Sequence, residues 1–137
     1  MDFPALRQEV DQATMSKRIL CVGNCVPDNR AITAMIKSHF AAEVTPVDDL
    51  PETLEQLRAN AYDLVLVNRI LDRDGSPGLD VIQQIKAAPD LSETPVMMIT
   101  DFPRHQQSAQ DAGALEGFGK QALYAPKTVS KLAAVLG

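Results

Sequence analysis

A chain of 137 residues that is 45% hydrophobic and 23% charged has the length and composition of one soluble globular domain. No apolar run approaches the roughly 18 residues of a membrane span, and residues 1–17 lack the apolar core of a secretory signal, so we expect a cytoplasmic protein. The net charge of −5 and the scattered positions of the 13 Lys and Arg residues argue against direct nucleic-acid binding, because such proteins concentrate cations on one face.

Residues 17–137 form the predicted domain, and residues 1–16 form an N-terminal extension. Within the extension, Leu6 and Val10 have helical spacing, which predicts one or two amphipathic helical turns. No repeat or low-complexity tract divides the rest of the chain, so the sequence predicts a single domain after the extension.

Short aliphatic or β-branched segments alternate along the domain with segments of helical periodicity, as is typical of parallel strands connected by helices. The third strand is the most apolar, as expected of a central strand that helices cover on both faces. The fourth helix is polar and has almost no apolar stripe, so we expect it to be short, exposed and poorly anchored. The predicted strands are residues 18–23, 43–47, 62–68, 94–100 and 115–119, and the predicted helices are residues 28–40, 50–61, 78–88, 103–113 and 128–137.

The carboxyl ends of the predicted strands are the expected place for a functional site. In an open, doubly wound sheet, ligands bind beyond these ends, near the point where the strand order reverses. Cys21 and Cys25 lie at the first of them, but with no second cysteine pair and no nearby histidine they lack a zinc ligand set and should be reduced thiols. The residues at the strand ends are Gly23, Asn24, Asn68, Thr100, Asp101, Gly119 and Lys120.

Several segments of the domain occur in the order and spacing of a known family. They are KRILCVGNCVPDNRAI, YDLVLVNRILDRDGSPGLDVI, TPVMMITD and GALEGFGKQAL. In these segments the chain from Lys17 to Gly137 resembles the receiver domain of bacterial two-component response regulators. The resemblance implies a flavodoxin-like fold, with a five-stranded parallel sheet of order 2-1-3-4-5 and helices on both faces.

The resemblance also implies a phosphoacceptor pocket, in which an acidic pair holds Mg²⁺, an aspartate accepts the phosphoryl group, and Thr and Lys bind its oxygens. The Thr, Lys and acceptor positions fall on Thr100, Lys120 and Asn68. The acidic pair falls on Gly23 and Asn24, or one residue later if the loop is shifted. Every carboxylate of the site is missing. An amide is not an anionic nucleophile, and Mg²⁺ is usually held through carboxylates, so we expect no phosphoryl transfer, no bound metal and no cofactor.

Two residues of this pocket have more than one open role. Asn68 either hydrogen-bonds Lys120 and Thr100 in place of the acceptor, or satisfies the amides of the neighbouring loop. Lys120 either turns to solvent or pairs with one of three acidic residues, Asp28, Asp72 or Asp101. The family usually has a cis-proline after this lysine, whereas Gln121 predicts a trans bond, because a cis bond to a non-proline residue costs about 2.5–4 kcal/mol.

We expect a pseudo-receiver, a module without enzymatic activity that signals through protein contacts. The family uses its fourth helix, fifth strand and fifth helix for such contacts. The partner is expected to be a kinase, another regulator or a second copy of the chain. The corresponding residues here are Arg104, His105, Phe118, Lys120 and Gln121, with Phe118 resembling the family's aromatic switch position.

Two other functions compete with this one. The first is a receiver that is phosphorylated at a non-standard residue, Asp28, Asp72 or Asp101. The second is a flavodoxin-like cofactor binder, which the sequence disfavours because the GNCVPDN loop is not a Ser/Thr/Gly-rich phosphate loop and only 4% of residues are aromatic.

Overall fold

Five parallel strands form one sheet in the order β2-β1-β3-β4-β5 in the computed structural model, which describes residues 16–137. The predicted turns around Leu6 and Val10 lie outside the described residues. The strands are β1 Lys17–Val22, β2 Ala42–Val47, β3 Leu64–Asn68, β4 Val96–Ile99 and β5 Leu115–Phe118. The helices are α1 Val26–His39, α2 Leu50–Ala59, α3 Gly78–Ala87, α4 Pro103–Asp111 and α5 Pro126–Leu136, and a 3-10 turn spans Lys120–Ala122. The predicted flavodoxin-like fold and strand order are confirmed.

The helices begin where the sequence provides a proline or a capping side chain. Proline occupies the first turn of α1, α2, α4 and α5, where its missing N–H leaves no helical hydrogen bond unmade. At α2, Asp49 also accepts a hydrogen bond from the backbone N–H of Glu52, and Glu52 accepts one from the N–H of Asp48. This reciprocal cap fixes the chain at the carboxyl end of β2.

The hydrophobic core lies on both faces of the sheet. On one face α2, α3 and α4 pack against side chains such as Leu20, Val65 and Val67, and on the other face α1 and α5 pack against Ile19, Leu66 and neighbouring side chains. Residues 64–67 of β3 are fully buried, as predicted for a central strand. This two-sided packing holds the carboxyl ends of β1, β3 and β4 together at one edge of the sheet.

Helix α4 is short and exposed as predicted, but the prediction that it is poorly anchored is wrong. Its only fully buried residue is Ala109, and its anchor is the polar side chain of Gln106. The Gln106 Nε2 atom donates hydrogen bonds to the carbonyls of Met98 (2.9 Å) and Thr100 (3.2 Å), and its Oε1 atom accepts one from the N–H of Gly117 (2.9 Å). A polar side chain that points inward leaves no trace in hydrophobic periodicity, which is why the sequence did not reveal it.

Among residues 16–137, none of the helices combines the length and the apolar character that crossing a membrane requires.

Replacing Gln106 by alanine should destabilise the domain by about 1–3 kcal/mol, because the N–H of Gly117 and two carbonyls lose a partner at a partly buried place. The matched control is Gln107→Ala on the exposed side of the same helix, which should change stability by less than about 0.5 kcal/mol. Urea unfolding of both variants measures the difference. Equal losses would show that Gln106 does not anchor α4.

Candidate functional site

Three of the predicted site residues line one small cavity at the carboxyl edge of the sheet. Asn68 ends β3, Thr100 follows β4, and Lys120 begins the 3-10 turn after β5. Their side chains border a cavity of about 260 Å³. Gly23 is connected to this cavity because its carbonyl accepts a hydrogen bond from Asn68. The side chain of Asn24 turns away from the cavity, towards Cys21.

The Asn68 side chain joins two loops. Its Nδ2 atom donates hydrogen bonds to the carbonyl oxygens of Gly23 (3.2 Å) and Ile70 (2.8 Å). The predicted hydrogen bonds from Asn68 to Lys120 and Thr100 are therefore wrong. The alternative, that Asn68 hydrogen-bonds the neighbouring loop, is right about the loop, but the bonding groups there are carbonyls and not amides. Because only the NH₂ group can donate, this arrangement fixes the orientation of the amide.

Gly23 has no room for a side chain. Its φ is +78°, a left-handed conformation that glycine adopts easily and other residues adopt at a cost. A Cβ atom on Gly23 would also collide with the Leu71 side chain. The Gly23 carbonyl accepts a second hydrogen bond, from the N–H of Asp72 (2.9 Å), which fixes the backbone there. The first position of the expected acidic pair is therefore closed by packing as well as lacking a carboxylate.

Asn24 is buried and points into the protein. The residue is only 3% exposed. Its Nδ2 atom donates hydrogen bonds to the Cys21 sulfur (3.2 Å) and to the Val22 carbonyl (3.5 Å). Burial raises the pKa of the Cys21 thiol to about 12, so Cys21 is an uncharged acceptor. The second position of the acidic pair thus belongs to the core.

Lys120 forms an ion pair with Asp28, one of the three predicted acidic partners. The Lys120 Nζ atom lies 2.6 Å from Asp28 Oδ2, and both side chains are a little over one-third exposed. The hydrogen bond from Lys120 lowers the pKa of the Asp28 carboxyl below its usual value. The other two acids make different contacts: Asp101 accepts a hydrogen bond from the N–H of Gln121, and the backbone of Asp72 bonds Gly23.

The residues of this site do not fit the Mg²⁺ ion that the resemblance implies. Mg²⁺ is usually bound through one or two carboxylates. At the corresponding positions stand a glycine whose Cβ would collide with Leu71, an inward-pointing Asn24, and an Asn68 that directs NH₂ protons towards two carbonyls. Within residues 16–137, no three His, Cys, Asp or Glu side chains come together in a way that would hold a metal ion.

The loop between β3 and α3 is held by contacts that the sequence only partly indicated. The loop contains a turn that the Asp74 side chain caps, since Asp74 Oδ1 accepts a hydrogen bond from the N–H of Ser76 (2.9 Å). Sequence reasoning missed Arg73, whose guanidinium pairs with three carboxylates at the start of α2. These contacts draw the loop towards α2. The three carboxylates belong to Asp48, Asp49 and Glu52.

The predicted partner face is only partly at the surface. Arg104 and Gln121 are exposed and His105 is half-buried. Phe118 is 3% exposed and packs in the same core cluster as Leu132, so its prediction as a surface contact is wrong. Because side chains alternate along β5, Phe118 faces the core on the α5 side of the sheet.

The backbone of Gly117, which precedes Phe118 on the edge strand, is capped on both polar groups by side chains. Gln106 accepts from its N–H, and Lys131 donates to its carbonyl (2.9 Å).

The predicted trans bond is confirmed, since the peptide between Lys120 and Gln121 is not cis. A groove of about 370 Å³ runs between α4 and α5 along this edge.

No protein-family model matches the chain, and no curated protein matches it in sequence. Solved structures do match its fold. A protein assigned as a response regulator in Chloroflexus aurantiacus has a TM-score of 0.78 at 18% identity, with 88% of this chain and 98% of that chain covered. The chemotaxis response regulator CheY4 of Vibrio cholerae has a TM-score of 0.68 at 16% identity, with 89% and 99% covered. The receiver domain of a DNA-binding response regulator from Colwellia psychrerythraea has a TM-score of 0.71 at 18% identity, with 87% and 99% covered. The chain therefore has the fold of receiver domains.

Replacing Asn68 by aspartate should destabilise the domain by about 1–3 kcal/mol, because a carboxylate cannot donate to the carbonyls of Gly23 and Ile70 and would lie against them. The matched control is Asn60→Asp. There the side-chain oxygen that accepts from Arg18 is retained and only one long donor bond, to Gln56 Oε1 (3.4 Å), is lost, so the loss of stability should be smaller. Urea unfolding at neutral pH compares the two. An Asn68→Asp variant as stable as the parent would contradict the donor role of Asn68.

Proposed function

We propose that the chain is a pseudo-receiver, a module with the receiver fold that accepts no phosphoryl group at the usual position and acts through protein contacts in a two-component-type pathway. The likeness to solved receiver domains supports the class of module. The observation that carries the proposal is the engagement of the Asn68 amide with the carbonyls of Gly23 and Ile70. An amide is not an anionic nucleophile, and this one is held as a hydrogen-bond donor.

The charges around Lys120 fit the same proposal. In a site built to hold a phosphoryl group, a lysine supplies positive charge to the incoming anion. Here the Lys120 ammonium is already paired with Asp28 at 2.6 Å. Exposed ion pairs of this kind contribute about 0–1 kcal/mol, so the pair matters less for stability than for removing an uncompensated cation from the cavity.

In the proposed module the contact surface does not depend on phosphorylation. The contacts of Gln106 attach α4 to β4 and β5, which supports a surface that is already formed. The partner of such a module is another signalling protein, either a kinase or a regulator, or a second copy of the chain.

Intact-mass measurement after incubation with Mg²⁺ and acetyl phosphate tests the proposal. We expect no phosphoryl adduct on the parent chain. The Asn68→Asp variant should also remain unmodified, because it restores a nucleophile without restoring the metal-binding carboxylates. A stoichiometric adduct on the parent chain, mapped to Asp28, Asp72 or Asp101, would instead identify a receiver with a non-standard acceptor.

The amide NMR spectrum provides an independent test with a different readout. Adding Mg²⁺ and beryllofluoride, which mimics a bound phosphoryl group, should leave the resonances of Asn68, Thr100 and Lys120 nearly unchanged. The reason is that Asn68 offers no carboxylate to beryllofluoride, and Gly23 and Asn24 offer none to Mg²⁺. Widespread changes in amide chemical shifts at modest ligand concentrations would contradict the pseudo-receiver proposal.

A further inference from the structure

The rim of the cavity carries an exposed apolar and cationic surface that the proposed function leaves unexplained. We call it the rim patch; it consists of Arg69, Ile70, Phe102, Arg104 and His105. Ile70 is 38% exposed and Phe102 is 55% exposed, and both border the cavity beside Asn68 and Lys120. They come from two different loops, the one after β3 and the one after β4.

The Phe102 ring is held in place at the surface. The Arg69 guanidinium lies 5.7 Å from the ring centroid on one side, and the His105 ring meets it edge-on at 5.8 Å. The backbone N–H of Phe102 donates to Thr100 Oγ1 (3.2 Å), which fixes the loop at the start of α4. A solvent-exposed phenylalanine with a fixed ring loses little conformational entropy when a partner covers it.

The charge of the rim patch is opposite to that of the chain as a whole. Neither Arg69 nor Arg104 is in an ion pair with any residue of the 16–137 range. Burial, Arg69 and Arg104 lower the pKa of His105, so this side chain is neutral at neutral pH. Among the described residues, the one carboxylate on the cavity border is that of Asp101, which accepts a hydrogen bond from the Gln121 backbone. The rim patch therefore carries two guanidinium groups that have no ion pair within residues 16–137, on a chain whose net charge is −5.

We propose that the rim patch binds a partner protein through a segment that places an apolar side chain between Ile70 and Phe102 and acidic side chains against Arg69 and Arg104. This inference rests on the proposed function, in which the chain acts through protein contacts. Aromatic and arginine side chains dominate the binding energy of many interfaces. Charge complementarity selects an acidic segment over a basic one.

A second copy of the chain fits the rim patch less well than a different protein does. Among residues 16–137, the carboxylates at the start of α2 are one acidic cluster that a second copy would offer, namely Asp48, Asp49 and Glu52, and Arg73 of the same chain already binds it. Docking that cluster on Arg69 would require these internal pairs to be exchanged for similar ones, with little gain in free energy.

Site-specific photo-crosslinking in the native cell tests the inference on the full chain. A benzophenone amino acid replaces Phe102 in the rim patch, Lys127 on the groove between α4 and α5, or Val26 on α1, which is 62% exposed and serves as the control position. We expect the strongest crosslink at position 102. Mass spectrometry of the crosslinked peptide should show an apolar residue flanked by Asp or Glu.

The captured segment, made as a synthetic peptide, then gives a quantitative test. Arg69→Ala and Arg104→Ala should each weaken its binding about tenfold, which corresponds to 1.4 kcal/mol, and raising the salt concentration should weaken it further. Arg30→Ala, an exposed arginine on α1, should leave binding unchanged. Crosslinking to a second copy, to a segment without acidic residues, or only at position 127 would overturn the rim patch and leave the proposed function standing. No crosslinked partner at any position would count against both.

Discussion

Two hydrogen bonds from one amide organise the carboxyl edge of this sheet. The Asn68 NH₂ group reaches the carbonyls of Gly23 and Ile70, so the end of β1 and the loop after β3 are fastened together through a single side chain. The N–H of Asp72 adds a second connection to Gly23. This network requires a donor at position 68, and aspartate cannot supply it at neutral pH. The hydrogen-bond donors of the Asn68 amide therefore match the carbonyl groups that its neighbours place around it.

The rest of the edge is consistent with a cavity that needs no anion. Asp28 compensates the charge of Lys120, Asn24 turns into the core towards Cys21, and Leu71 fills the space above Gly23. Introducing the carboxylates that the receiver resemblance implies would meet a different obstacle at each place: loss of a donor at Asn68, steric conflict at Gly23 and desolvation at Asn24. The absence of phosphoryl chemistry that we propose would therefore be a property of the whole edge.

The parallel α/β class could be predicted from the sequence because apolar strand segments alternate with helical ones, whereas the strand order followed from the resemblance to receiver domains. The candidate site could be located because parallel strands bring their carboxyl ends to one edge. The directions of polar side chains could not be predicted. The inward turn of Gln106, the burial of Phe118 and the donor bonds of Asn68 depend on the register of β5 and on the path of loops. The positive φ of Gly23 likewise has no signature in a sequence of this kind.

The stability of Gly23→Ala tests most directly whether packing closes the first position of the acidic pair that the receiver resemblance implies. Gly75 is the matched control, since its φ of +71° is similar but nothing lies within 4 Å of its Cβ position. Gly75→Ala should cost about 1–2 kcal/mol, the penalty of the left-handed backbone. Gly23→Ala should cost about 1–3 kcal/mol more. Leu71→Ala in the same chain should reduce that excess, because it removes the closest atom, Leu71 Cδ2, although the Leu71 Cα and Cβ atoms remain close. Equal losses at the two glycines, with no effect of Leu71, would contradict the account.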